Sequence, residues 1–262
     1  MLDEKQIAQN WDALIIFIED NFAGEREEKL LAFYNKFADR IAIAPASGQV
    51  SFHSCFPGGY VHHVLNMIKC TQKVDDLWKN VGGTPTYTED ELKFASLNHD
   101  LGKIGNLEYE QYIPVEEQWK RNRGNMYEGH SRLDYMLVQD RSIFLLQHAG
   151  LQMTQNEFLG IKLHDGLYDD GNKGYFMSFD VRNNLRTMLP YIMHWGDMMA
   201  TKLEYESWLH TPEGIRYMDR GGNVAIKKNY PPKIKKTISL ETNDSEKKTN
   251  VQSFEDLFGD IL

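Results

Sequence analysis

The residues best suited to chemistry in this chain are histidines and aspartates. His99 and Asp100 are adjacent, so one imidazole nitrogen and one carboxylate oxygen point into nearly the same volume. That pairing suits a borderline divalent cation, since imidazole favours Mn, Fe, Co, Ni or Zn and carboxylate tolerates all of them. A lone His-Asp dipeptide is a common chance occurrence, and its company is what gives it weight. His63, His130, His148, a second pair His164-Asp165, and Asp197 all fall at or near predicted helices. Asp197 sits in His194-Trp-Gly-Asp-Met-Met-Ala-Thr, and an acid among such apolar neighbours needs a partner when buried. A metal supplies one.

Helices are expected to position these groups. Residues 3–43 read as two, a hairpin packed on the main body. Ile7, Trp11, Leu14, Ile15 and Ile18 keep helical spacing, as do Leu30, Leu31, Phe33, Tyr34, Phe37 and Ile41. Pro57-Gly58-Gly59 is a turn before a helix over residues 60–79, whose first turn carries His62 and His63; the glycines let backbone approach a site closely. Thr88 reads as an N-cap with Glu91 completing a capping box, and Leu92, Ala95, Ser96 and His99 share one face. Gly102 is expected to stop that helix, leaving His99-Asp100 at its C-terminal end. Residues 107–124 hold Tyr109, Tyr112, Trp119, Lys120, Arg121 and Arg123, and read either as a surface for a base and phosphates or as a solvated loop. Further helices are expected over residues 129–138, starting with His130, and over 155–163, ending in His164-Asp165. A long helix over residues 181–209 carries Asp197, with Leu185, Met188, Leu189, Ile192, Met193, Met199 and Leu203 as its apolar stripe.

This organisation gives a helical hairpin at residues 1–48, a main domain at 49–210, an irregular or β-hairpin extension at 211–236 and a polar tail at 237–262. In the final stretch, 253–262, Phe254, Leu257, Phe258 and Ile261 would form one face of an amphipathic peptide. Such a peptide suits a groove on a protein partner, or folds back on its own domain.

At 30.4 kDa the chain can bury a substantial core, and 41% hydrophobic with 12% aromatic residues is a globular composition. Lys and Arg number 29 against 38 Asp and Glu, a formal charge of −9. That balance argues against a protein that grips duplex nucleic acid, while a small anionic substrate stays admissible because a metal or a few lysines reverse the field inside one pocket. Cys55 and Cys70 are too few for a disulfide framework and fit a reducing cytosol. The absence of a membrane-length apolar run and of a basic start predicts a cytoplasmic protein with no membrane contact. There is no phosphate-binding glycine loop, no Cys-x-x-Cys pair and no Gly-x-Ser-x-Gly elbow.

Three pieces in order, Gly58-Gly-Tyr-Val-His-His63, His99-Asp-Leu-Gly-Lys103 and His194-Trp-Gly-Asp197-Met-Met-Ala-Thr-Lys, resemble the signature of the HD-domain metal-dependent phosphohydrolase superfamily. Gly129-His130 and Ile161-Lys-Leu-His164-Asp-Gly resemble the two extra histidines of its binuclear members. The resemblance covers about residues 50–207 and implies an all-α fold, an HD-domain helical bundle with a metal site between helices. It implies a first metal at His63, His99, Asp100 and Asp197, and a second that Asp100 bridges to His130 and either His164 or His148. The family's helix-end pattern favours His164 over His148, and the spacing from Gly58-Gly59 favours His63 over His62. The implied cofactors are two divalent ions, Mn, Fe, Co, Ni or Zn ahead of Mg.

The activity so implied is hydrolysis of a phosphate ester or anhydride in a nucleotide or related small phosphate ester, through a metal-activated water. Lys103, one turn from the His-Asp pair, could hold a phosphate oxygen or help the leaving group, and Asp100 and His148 join it as catalytic candidates. His53 and His148 could donate to phosphate, or could only pack and fix tautomers. Two other classes share such a ligand set: a di-iron oxygenase, and a nucleotide-binding regulatory module without turnover.

Overall fold

The computed structural model describes residues 2–220. Local signals start many of its helices. Asp3 accepts from the Gln6 N–H and caps α1 (Glu4–Asn21), while the Gln6 side chain accepts from the Asp3 N–H. Next come α2 (Glu25–Lys36) and α3 (Ala38–Ile43), so the two expected helices are three. Phe37 breaks them apart by leaving helical geometry, with its buried ring 5.0 Å from that of Phe33. Helix α4 (Gly59–Asn80) opens on the left-handed Gly58, and α5 (Glu89–Asn98) opens on the expected Thr88–Glu91 capping box. Gly102 does not stop α5. The helix ends at Asn98, and the chain tightens into a 3-10 turn over Leu101–Ile104 that contains Gly102.

The stretch expected to be a loop contains β1 (Tyr112–Pro114) and α6 (Gln118–Asn122). Strand β2 (Tyr127–Gly129) pairs antiparallel with β1, Tyr112 opposite Gly129, and the helix expected over 129–138 is instead the end of this strand followed by turns and irregular chain up to residue 137. The Tyr112 and Tyr127 rings meet edge to face across this pair. Helices α7 (Val138–His148), α8 (Gln155–Leu163) and the short α9 (Lys173–Phe176) follow. The long helix α10 (Leu189–Leu209) begins later than expected, because Pro190 lacks an N–H and is tolerated only in a first turn. Helix α11 (Pro212–Asp219), capped by Thr211, fills the described part of the extension expected to be irregular or a β-hairpin. The rest of that extension, and the amphipathic peptide at 253–262, lie outside the described residues.

Helix α4 packs against α10, α5, α1 and α3, while α8 rests on both α5 and α10. One core joins Leu14, Ile18 and Tyr34 of the N-terminal helices to Val64, Met67, Phe94, Leu97 and Ile192. Met199 and Leu203, expected in the core, are exposed; the buried stripe of α10 runs through Ile192, Met193, Gly196, Ala200 and Glu204. The described fold is therefore helical apart from one two-stranded sheet. No described helix is long and apolar enough to cross a membrane.

Candidate metal centre

His63 lies on the inward stripe of α4 with Met67, Cys70 and Val74, and is fully buried. Helix α10 crosses α4 at Gly196, where a Cβ would stand 2.9 Å from Thr71 Cα and nearer still to its Cγ2. That close crossing brings Asp197 Oδ1 to 3.2 Å from His63 Nε2. His99 caps α5 and His164 caps α8, and both rings turn back on their own helix. Nδ1 of His99 donates to Ser96 O at 2.9 Å, and Nδ1 of His164 donates to Ile161 O at 2.8 Å. His63 Nδ1 donates to Glu204 Oε1 at 3.2 Å. Carbonyls and ionised carboxylates only accept, so in each ring Nδ1 carries a proton and Nε2 is left to hold a metal or a second proton.

Nε2 of His63 and of His99 face one small volume, and Nε2 of His164 faces the other oxygen of the same aspartate, Asp100. His63 Nε2 and His99 Nε2 are 3.3 Å apart, and Asp100 Oδ2 lies 3.4 Å from the first and 3.3 Å from the second. The other Asp100 oxygen, Oδ1, is 3.6 Å from His164 Nε2. Asp197 Oδ1 is itself buried and accepts no well-formed hydrogen bond. Facing lone pairs at such distances repel unless a cation or a proton lies between them. Imidazole nitrogens with carboxylate oxygens are the donor set of a borderline divalent ion, so the residues present fit such a group.

The electrostatics agree. Burial opposes charge on each group, yet the partners outweigh it. Lys103, whose Nζ is 2.6 Å from Asp100 Oδ2, and the neighbouring histidines hold Asp100 well below the usual carboxylate range. His63 does the same for Asp197, and with His53 and Asn66 it holds Glu204 at about 2. Glu204, Asp100 and Asp197 raise His63 well above its ordinary value; Asp165 and Asp100 raise His164 to about 10. A field that holds protons on two buried imidazoles is one that attracts a divalent ion in their place. His53 is the exception. Burial, with His63 and Lys103 nearby, pushes it down to about 3, and its ring packs 4.4 Å from that of His63.

Two expected site residues do not reach this cluster. His130 follows β2, where its N–H donates to Gln111 O and its ring stacks on Tyr109 at 4.8 Å. It stands immediately after the paired strand rather than in the first turn of a helix. His148 is the last residue of α7, exposed and stacked on the exposed Phe144, because the inward face of that helix is taken by Leu145 and Leu146. His164 is thus the histidine brought to Asp100, and His63 rather than His62 faces inward; His62 pairs with Asn66.

Glu204 is the residue that sequence reasoning missed. It accepts from His63 Nδ1, from Ser54 Oγ at 2.7 Å and from Asn66 Nδ2 at 3.0 Å, and so fixes the first histidine's ring from behind. Its signal was spacing: two helical turns beyond Asp197, on the same side of α10. Beside Lys103 opens a cavity of about 420 Å³, lined also by Arg40, Ile104, Glu110, Tyr112 and Tyr127.

No family model, curated protein or solved structure matches this chain. The centre therefore stands on its own geometry, as a group of buried His, Asp and Glu side chains that could hold a metal ion.

Proposed function

We propose that this chain is a metal-dependent phosphohydrolase of the HD type, acting on a nucleotide or related small phosphate ester. The observation that carries this reading is the convergence of His63, His99 and His164 Nε2 on Asp100, with Asp197 beside them. His63, His99, Asp100 and Asp197 would hold the first ion. A divalent ion held there supplies Lewis acidity and a water nucleophilic near neutral pH.

The chain's own groups do the rest. Glu204, Ser96 O and Ile161 O hold the imidazoles in the one tautomer that leaves Nε2 free. Lys103 reaches from Asp100 to the edge of the adjoining cavity, where its ammonium would meet a phosphate oxygen. Tyr112 and Tyr127, on the cavity wall, offer ring faces and edges to a base or sugar. The formal charge of −9 favours a small nucleotide over duplex nucleic acid.

Product analysis on a panel of nucleotides and short oligonucleotides with added manganese tests this. The native chain should release phosphate or a dephosphorylated product, and the double variant His99→Ala/Asp100→Ala should release none. Silence across the panel with iron bound and oxygen consumed would replace the reading with an oxygenase. Nucleotide bound without turnover would replace it with a sensor.

A further inference from the structure

Asp100 uses its two oxygens differently. Oδ2 faces His63, His99 and Lys103, whereas Oδ1 faces His164. On that second side a further carboxylate waits: Asp165 Oδ1 lies 3.7 Å from His164 Nε2. Donor atoms of His164, Asp165 and Asp197 all lie within 4.8 Å of one another. The turn that presents them is held down on α10. His194 Nδ1 donates to His164 O at 2.9 Å, and Gly166, at φ 57°, lies so close to the His194 ring that any side chain there would overlap it.

We infer that Asp165 completes a second cation position with His164, Asp197 and Asp100 Oδ1, the place for which the sequence offered His130. This rests on the metal-centre reading above and names the residue that departs from it. The two positions differ in chemistry. The inner one has two imidazoles, both fully buried, and two carboxylates. The outer one has a single imidazole and three carboxylates, and Asp165 has a side chain 41% exposed. More oxygen and less nitrogen favours a harder ion, manganese or magnesium, over zinc. The exposure of Asp165 would leave part of that ion's surroundings to water.

The test is ion counting on the full chain, first stripped with chelator and then dialysed against manganese without any substrate. The native chain should hold about two manganese ions, with the electron spin resonance of a coupled pair. Asp165→Ala should lose half of the bound manganese and show the six-line spectrum of an isolated ion. Asp165→Asn, which keeps the shape, should weaken the second ion about 10- to 100-fold and decides the matter if the alanine variant fails to fold. His130→Ala should bind as the native chain does. Two coupled ions in both Asp165 variants, or the loss of one in His130→Ala, would overturn the inference. Because no substrate is present, its failure is separable from that of the phosphohydrolase reading. Two ions lost to one by Asp165→Ala, in a chain that hydrolyses nothing, keeps the inference and removes the activity. Hydrolysis by a native chain that holds one ion does the reverse, and a native chain that binds none overturns both.

Discussion

Lys103 and Asp100 make the shortest polar contact in the cluster, 2.6 Å between side chains that are only 12% and 5% exposed. In an ion-free chain the ammonium offsets the carboxylate, and a bound cation would take over part of that task. Replacing Lys103 by Met therefore strips the compensation in one state and not in the other. Lys103→Met should cost about 3–5 kcal/mol in chelator-treated protein, the usual penalty for leaving one partner of a buried pair alone, and clearly less with manganese present. Urea unfolding in both conditions measures it; equal losses would mean that Asp100 meets no ion. Residue types gave away much of this site, since His-Asp pairs and an acid inside an apolar run are conspicuous. Glu204 was not, because Leu-Glu-Tyr-Glu-Ser at the end of a long helix reads as a solvated face. The spacing from Asp197 hints at its direction, and the packing of α10 on α4 shows that this glutamate points inward.

At the scale of elements, the helices that carry the histidines announced themselves through local chemistry. Thr88 with Glu91, legible as a capping box, starts α5; the structure adds a second capping box, Thr154 with Glu157, at the start of α8, and each helix ends at its histidine. The pairing of β1 with β2 did not announce itself, because it joins residues far apart in sequence and three-residue strands leave no period to read. The helix expected to start with His130 is absent for that reason. The crossing of α4 and α10 was half legible: Gly196 precedes Asp197 in the sequence, but its contact with Thr71 needs the fold. An added methyl there has nowhere to go, so α10 must move away from α4 and take Asp197 with it. Gly196→Ala should destabilise the chain by about 1–3 kcal/mol and weaken manganese binding. Gly174→Ala, in open space, is the control and should leave binding unchanged. Thermal melts and manganese titration of the pair report the two effects, and native binding by Gly196→Ala would detach the site from the helix crossing.

Over the whole described molecule, the N-terminal helices do more than cover a surface. Tyr34 donates to Asn98 Oδ1 at 3.1 Å, which props the end of α5 immediately before His99. Arg26 reaches the other histidine-bearing helix. Its guanidinium spans both oxygens of Glu157, at 2.6 and 3.1 Å, also donates to Gln152 O, and lies 4.4 Å over the Phe94 ring. Glu157 is fully buried and is the reciprocal residue of the α8 capping box, so two elements meet at one carboxylate. The sequence assigned residues 1–48 to a hairpin laid on a separate body; nothing in a single arginine indicates which buried acid it will meet. Arg26→Met leaves Glu157 buried without its cation and should cost about 3–5 kcal/mol, a large share of the roughly 5–15 kcal/mol that holds a domain together. Adding Glu157→Gln removes the stranded charge, so the double variant should be more stable than Arg26→Met alone. Urea unfolding of the native chain, both single variants and the double variant measures this coupling. Independent, additive losses would show α2 resting on α8 without holding it. A large coupling would mean that the N-terminal helices fold as one unit with the helix that carries His164, and that the metal centre is not separable from them.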